Sequence, residues 1–117
     1  MNEQRKTVRI QPFVVPCRVV TNERALSGYL TDLSEAGARV TCEAEAPASE
    51  TAVTLELRIG RVATRSRLPA RVEWVRAQEG GRGSVFGLSF AGVREEHQAA
   101  LKAVVAEFRR LASEIAS

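Results

Sequence analysis

Histidine occurs once in this chain, at His97, and cysteine twice, at Cys17 and Cys42, with no CxxC motif and no Cys/His cluster. The common zinc patterns are therefore missing, and His97 has no neighbouring Ser, Cys or carboxylate that makes a recognisable acid/base or nucleophilic set. Both cysteines fall on the apolar phase of strands and are expected as buried thiols. Aspartate also occurs once, at Asp32, and only six aromatic residues are present, so platforms for stacking successive nucleic-acid bases are scarce. No segment reaches the ~18 consecutive apolar residues of a membrane helix. The opening "MNEQRKTVRI" has no apolar export core. A soluble, cytoplasmic, non-enzymatic chain without metal or cofactor and without membrane insertion is the expectation.

With 117 residues, 44% of them apolar and 26% charged, the composition suits one domain with a single hydrophobic core. The net charge of +3 is unevenly spread. Arg58, Arg61, Arg65, Arg67, Arg71 and Arg76 face only Glu73 within one stretch, which leaves the rest of the chain slightly acidic. Such a strip attracts phosphates or acidic protein surfaces, or is simply a solvated, arginine-rich sheet face.

Apolar residues alternate with polar ones through most of the chain, as half-buried strands require. In "FVVPCRVV", Phe13, Val15, Cys17 and Val19 share one face, with Pro16 and Arg18 on the other. "LSGYLTD" and "ARVTCE" read as the next two strands, and "VTLELRI" as a fourth, with Val53, Leu55, Leu57 and Ile59 in phase. A long arginine-bearing strand region runs from Val62 to Arg76, where Leu68, Ala70, Val72 and Trp74 take the inner phase. Trp74 is thus expected in the core, and Pro69, which cannot donate to a ladder, at an edge or a bulge. The glycine turn "QEGGRG" leads into the closing strand "SVFGLSF". From about Arg94 the period becomes helical, with Leu101, Val104, Val105, Phe108, Leu111, Ala112 and Ile115 on one stripe. Six strands followed by one amphipathic helix predict a small antiparallel barrel, with the helix packed on it or offering its stripe to a partner.

One short motif stands out. In "DLSEAG", a strand continuing through Asp32 puts Asp32 and Ser34 on one face and turns Leu33 inward. Gly37 then fits a position needing positive φ or the close approach of a ligand. The same residue types also build an ordinary Asx/Ser turn. At the N-terminus, "RKTVRI" places Arg5 and Arg9 four residues apart, but Arg61/Arg65 and Arg67/Arg71 repeat that spacing, so it says little alone.

Taken together, RxxxR at Arg5 and Arg9, a first strand, then [DN]xSxxG at Asp32, Ser34 and Gly37 resemble the PilZ domain family. "ARVEWV", "FGLSF" and the terminal helix fit the same layout, so the resemblance covers nearly the whole chain. It implies a mainly β, six-stranded antiparallel PilZ-type barrel with a C-terminal α-helix, divided into a flexible N-terminal segment 1–12, a barrel 13–92 and a helix 93–117. It also implies a bacterial receptor for the second messenger cyclic di-GMP, with ligand residues Arg5, Arg9, Asp32, Ser34 and Gly37. In that family an arginine immediately before RxxxR accompanies binding of an intercalated ligand dimer; here the position is Gln4. Arg71 and Trp74 sit on a strand that adds a stacking or phosphate contact in some members. The chemistry suits the ligand: arginine forks take guanine O6/N7 or phosphate, and a carboxylate suits the guanine N1/N2 donor edge. A protein partner is implied, its identity and pathway open. The alternatives are a PilZ-fold protein adaptor that binds no nucleotide and a nucleic-acid-binding barrel using the arginine strip.

Overall fold

The structure is a computed structural model and describes residues 13–78, 80 and 82–116. Arg5, Arg9 and Gln4 lie outside the described residues, as does the expectation of a flexible segment 1–12. In chain order the elements are β1 (Val15–Val20), β2 (Ala25–Leu33), β3 (Gly37–Cys42), β4 (Ala52–Leu57), β5 (Ser66–Ala77), β6 (Ser84–Ser89) and α1 (Glu95–Ala116). The strands close into a barrel in the order β1-β2-β3-β6-β5-β4, every pair antiparallel.

Alternation places the core. Val15, Cys17 and Val19 of β1, Val53, Leu55 and Leu57 of β4, Leu68 and Val72 of β5, and Phe86 and Leu88 of β6 all point inward and are buried. Each such side chain contributes about 1.5–3 kcal/mol of transfer free energy. Arg18, Arg67 and Arg71 occupy the outer phase and remain exposed. β5 starts at Ser66, later than Val62, because residues 58–65 form the connection from β4. Its first half pairs only with β4 and its second half only with β6, the two ladders meeting at Arg71. Pro69 lies in that first half, where β5 has a partner on one side and its missing N–H breaks no second ladder.

Two irregularities interrupt the alternation, one between Leu30 and Asp32 in β2 and one between Val72 and Trp74 in β5. Each inserts one extra residue, Thr31 or Glu73, and so shifts the following side chain to the other face. Asp32 is thereby exposed while Leu33 stays inside. Trp74, expected in the core, instead turns to the outer face and is half-buried there.

The helix seats Leu101, Val104, Val105 and Phe108 in the core, next to Ile59 from the connection after β4. The first part of the stripe is therefore a packing face, whereas Ile115 near its end is 51% exposed. A buried polar contact fixes the docking: the Glu107 carboxylate accepts the Arg61 backbone N–H and the Arg110 guanidinium. The Arg110 hydrogen bond first, and the Arg61 amide second, hold the Glu107 carboxyl below its usual range. Next along the helix, Phe108 meets Phe13 edge to face, ring centroids 5.0 Å apart. Cys17 and Cys42 are free and buried, as expected. Burial, with the Cys42 thiol nearby as a lesser cause, pushes the Cys17 thiol up to about 12.

Candidate functional site

Strand register aligns the sequence-derived site residues across the outside of β2, β3, β6 and β5. Asp32 pairs with Arg39, Arg39 with Gly87, and Gly87 with Trp74. Directly paired residues project from the same face of a sheet, so these four form one transverse row, about 14 Å long over three strand spacings. A second row runs Gly37–Ser89–Arg71 on one side of it. A third, Tyr29–Thr41–Val85–Arg76, runs on the other.

The connection between β2 and β3 is held by its own polar groups. The Ser34 N–H donates to the Gly37 carbonyl at 2.8 Å, and the Ser34 Oγ accepts the N–H groups of Ala36 and Gly37 at 3.2 and 3.3 Å. The Asp32 Oδ1 accepts the Leu33 N–H at 3.0 Å. Both readings of "DLSEAG" therefore coexist: Asp32 is presented outward, while the Ser34 hydroxyl holds the turn that presents it. The Phe90 N–H, donating to the Ala36 carbonyl at 3.0 Å, ties this turn to the chain just after β6.

Of the two requirements expected at Gly37, positive φ is absent; among the described residues the glycines that have it are Gly60, Gly80, Gly83 and Gly92. The physical requirement is proximity. A Cβ at Gly37 would stand 2.4 Å from the Leu88 carbonyl oxygen, so β3 and β6 approach closely only because that position lacks a side chain. Gly87 works similarly on the outer surface, where an added Cβ would meet the Trp74 indole Nε1 at 2.2 Å. The indole thus lies over the bare backbone of β6, and the Arg76 guanidinium carbon stands 5.3 Å from its ring centroid.

The face combines a carboxylate (Asp32), exposed guanidiniums (Arg39, Arg71, Arg76) and a half-exposed indole. Arg71 also contacts Glu50 at 3.8 Å, a weak pairing between two exposed side chains. Beyond the third row a groove of about 950 Å³ passes Tyr29, Thr41, Gln78 and Arg82, with Gly28 between Cys17 and Cys42 at its floor. Sequence reasoning did not connect Arg39 with Asp32, and it did not single out Tyr29, 53% exposed beside the groove. Among the described residues, no three His, Cys, Asp or Glu side chains are grouped to hold a metal, and no helix is long and apolar enough to cross a membrane.

Residues 3–107 match the PilZ domain. The chain belongs to the PilZ domain family. Among solved structures, this PilZ domain is similar to the "PilZ domain with c-di-GMP of YcgR from Escherichia coli", with a TM-score of 0.69 and 18% identity over 97% of both chains. It also resembles the PilZ domain of CeSA from a cellulose-synthesizing bacterium, with a TM-score of 0.60 and 20% identity over 87% of this chain and 99% of that one. The Bacillus subtilis inhibitor of motility MotI/DgrA matches with a TM-score of 0.63 and 16% identity, over 92% of this chain and 52% of that one. At these identities the likeness is one of fold. A search of curated proteins finds no match.

Proposed function

We propose that this PilZ domain is a receptor for cyclic di-GMP that repositions its N-terminal segment on binding and thereby signals to a protein partner. The observation that carries the reading is the meeting of the Asp32–Arg39–Gly87–Trp74 row with the start of the barrel. β1 begins with Val15 opposite Leu30, two residues from Asp32 on the neighbouring strand. Residues 1–12, with Arg5 and Arg9, precede Phe13 in sequence and are therefore tethered to the start of β1, the end that pairs near Asp32, the only aspartate in the sequence. In this reading a basic arm tethered at that end reaches the acidic acceptor on a surface that also carries an aromatic ring.

Cyclic di-GMP is a dianion with two guanines. Arg5 and Arg9 clamp its phosphates or take guanine O6/N7, and Asp32 accepts from the N1/N2 edge of a base. The Ser34 turn and Gly37 hold Asp32 in place, while Arg71 and Trp74 offer an outer contact, Trp74 as a stacking face. Gln4, where a further arginine would favour an intercalated dimer, points to one ligand per chain. The structure of a YcgR PilZ domain with c-di-GMP supports the ligand class. In this division of labour, residues 1–12 are the ligand arm, 13–92 the barrel and 93–117 the helix, and the domain binds without catalysing.

Calorimetric titration of the full chain with cyclic di-GMP tests the reading, with saturable binding near one ligand per chain as the expected result. Cyclic di-AMP, which lacks the guanine O6 acceptor and the N1/N2 donors, should not compete at comparable concentration. Hydrogen exchange tests the arm: amides of residues 4–11 should gain protection with ligand, and those of 53–59 should hardly change. Absence of heat and of protection would favour the adaptor that binds no nucleotide.

A further inference from the structure

The opposite wall of the barrel carries an arginine cluster that the cyclic di-GMP reading does not use. Arg18 on β1 pairs with Glu56 on β4, and Glu56 pairs with Arg67 on β5, so the three share an outward row. Arg65, just before β5, reaches the same carboxylate. The separations to Glu56 are 3.8 Å from Arg18, 3.9 Å from Arg65 and 3.4 Å from Arg67. Glu56 is held down among them at 13% side-chain exposure, whereas Arg18, Arg65 and Arg67 are 50%, 56% and 70% exposed. A cleft of about 290 Å³ beside the row adds Arg58. Three guanidiniums therefore contact one carboxylate, with Arg58 beside them, donating to the Ala63 carbonyl at 3.3 Å.

A carboxylate has two oxygens and can satisfy one guanidinium fork bidentately; shared three ways at these distances it saturates none. The remaining N–H donors face solvent with a net positive field. We propose that this wall, the outer face of β1, β4 and the first half of β5, docks an acidic segment of a partner protein, whose carboxylates take the free N–H donors of Arg18, Arg65 and Arg67.

The occupant follows from the chemistry of the patch. The anion it already holds is a carboxylate, and the fixed planar fork of arginine matches that geometry. Of the 17 basic residues in the chain, all but Lys6 and Lys102 are arginine. Arg65 and Arg67 are two residues apart, about 6.5–7 Å along an extended chain, which is also the spacing of alternate carboxylates on an extended acidic peptide. No aromatic side chain lines the cleft, so single-stranded nucleic acid would find phosphate contacts there but no stacking surface. Trp74 lies seven residues from Arg67 on β5, beyond the point where that strand exchanges β4 for β6. The wall is thus separate from the row that begins at Asp32.

The test uses the full chain at low salt with three probes: a hexaglutamate peptide, inorganic tripolyphosphate and a single-stranded oligonucleotide. The peptide should shift the backbone amide resonances of Arg18, Glu56, Arg65 and Arg67. Its affinity should fall at least tenfold in the double variant Arg65→Gln/Arg67→Gln, with the fold checked by circular dichroism, and should be unchanged in Arg94→Gln. Glu56→Gln, which frees the forks without removing one, should tighten binding severalfold. Cyclic di-GMP binding should be the same in all these variants, which separates this proposal from the one above. An equal loss in Arg94→Gln, no amide shifts with the peptide, or tighter binding of tripolyphosphate or the oligonucleotide at the same residues would overturn it.

Discussion

The two walls of this barrel are built by opposite rules. Across β1, β4 and the first half of β5 the register is continuous: inner residues are mostly aliphatic, and on the outer face Glu56 gathers its arginines. Across β2, β3, β6 and the second half of β5 the register slips twice, at Thr31 and Glu73, and glycines stand where side chains would prevent close approach. The regular wall keeps its pairing in register and displays charge. The irregular wall gives up regularity to bring a carboxylate and an indole to the surface, residues that unbroken alternation would have pointed into the core. Bulges that re-aim side chains are a recurrent device beside binding sites.

The contrast should be sharpest in ligand binding. Asp32→Ala on the irregular wall and Arg9→Ala on the arm should each weaken cyclic di-GMP binding by about 1.5–3 kcal/mol, the worth of a charged hydrogen bond, without unfolding the barrel. Arg61→Ala, which also removes an arginine with another four residues on, should leave calorimetric affinity nearly unchanged. An equal loss there would reduce the site to general electrostatics.

Stability should divide the walls next. Gly37→Ala drives a Cβ against the Leu88 carbonyl, a backbone atom that cannot swing away, and should cost about 1–3 kcal/mol in denaturant unfolding. At Gly87 the obstacle is the Trp74 side chain, so Gly87→Ala should cost less and appear mainly as a change in tryptophan fluorescence. On the regular wall, Glu56→Gln should alter stability by no more than about 1 kcal/mol, because its partners are half or more exposed and solvent screens the pairs.

A smaller, pH-dependent effect belongs to neither wall. Glu107 has a folded pKa below its ordinary 4.5, so the stability from its Arg110 and Arg61 contacts is present above about pH 4.5 and is lost as pH falls through the depressed value. Thermal melts of the parent chain should therefore decline in acid more steeply than those of Glu107→Gln. Parallel declines would remove Glu107 from the account of helix docking.

How much of this was legible in sequence follows the same division. Strict alternation in "FVVPCRVV" and "VTLELRI" gave the right faces, because nothing in β1 or β4 interrupts the pleat. The helix was equally plain up to Phe108, and Pro69 told where β5 lacks a second partner. Trp74 was misplaced because a bulge leaves no mark in local composition. There was a signal nonetheless: continuing the phase of Leu68, Ala70, Val72 and Trp74 would put Arg76 inside the barrel, and a buried, unpaired guanidinium is costly enough to demand a slip before it. For Gly37 the sequence offered positive φ or a ligand's approach; the contact the structure shows, a neighbouring strand's carbonyl, is invisible until the register is known. Glu107 was only half legible: Arg110 lies three residues on, but its second partner is the Arg61 backbone amide in a distant connection.

The edge-to-face contact between Phe13 and Phe108 has a mechanical consequence. It joins the residue at which the arm enters the barrel to a helix of 22 residues, about 33 Å long. Such a helix acts as a lever: a tilt of about 10° displaces one end relative to the other by about 6 Å, far more than a ring must move to change its packing. Fluorinated phenylalanine at positions 13 and 108 would report directly whether that lever moves when nucleotide is added.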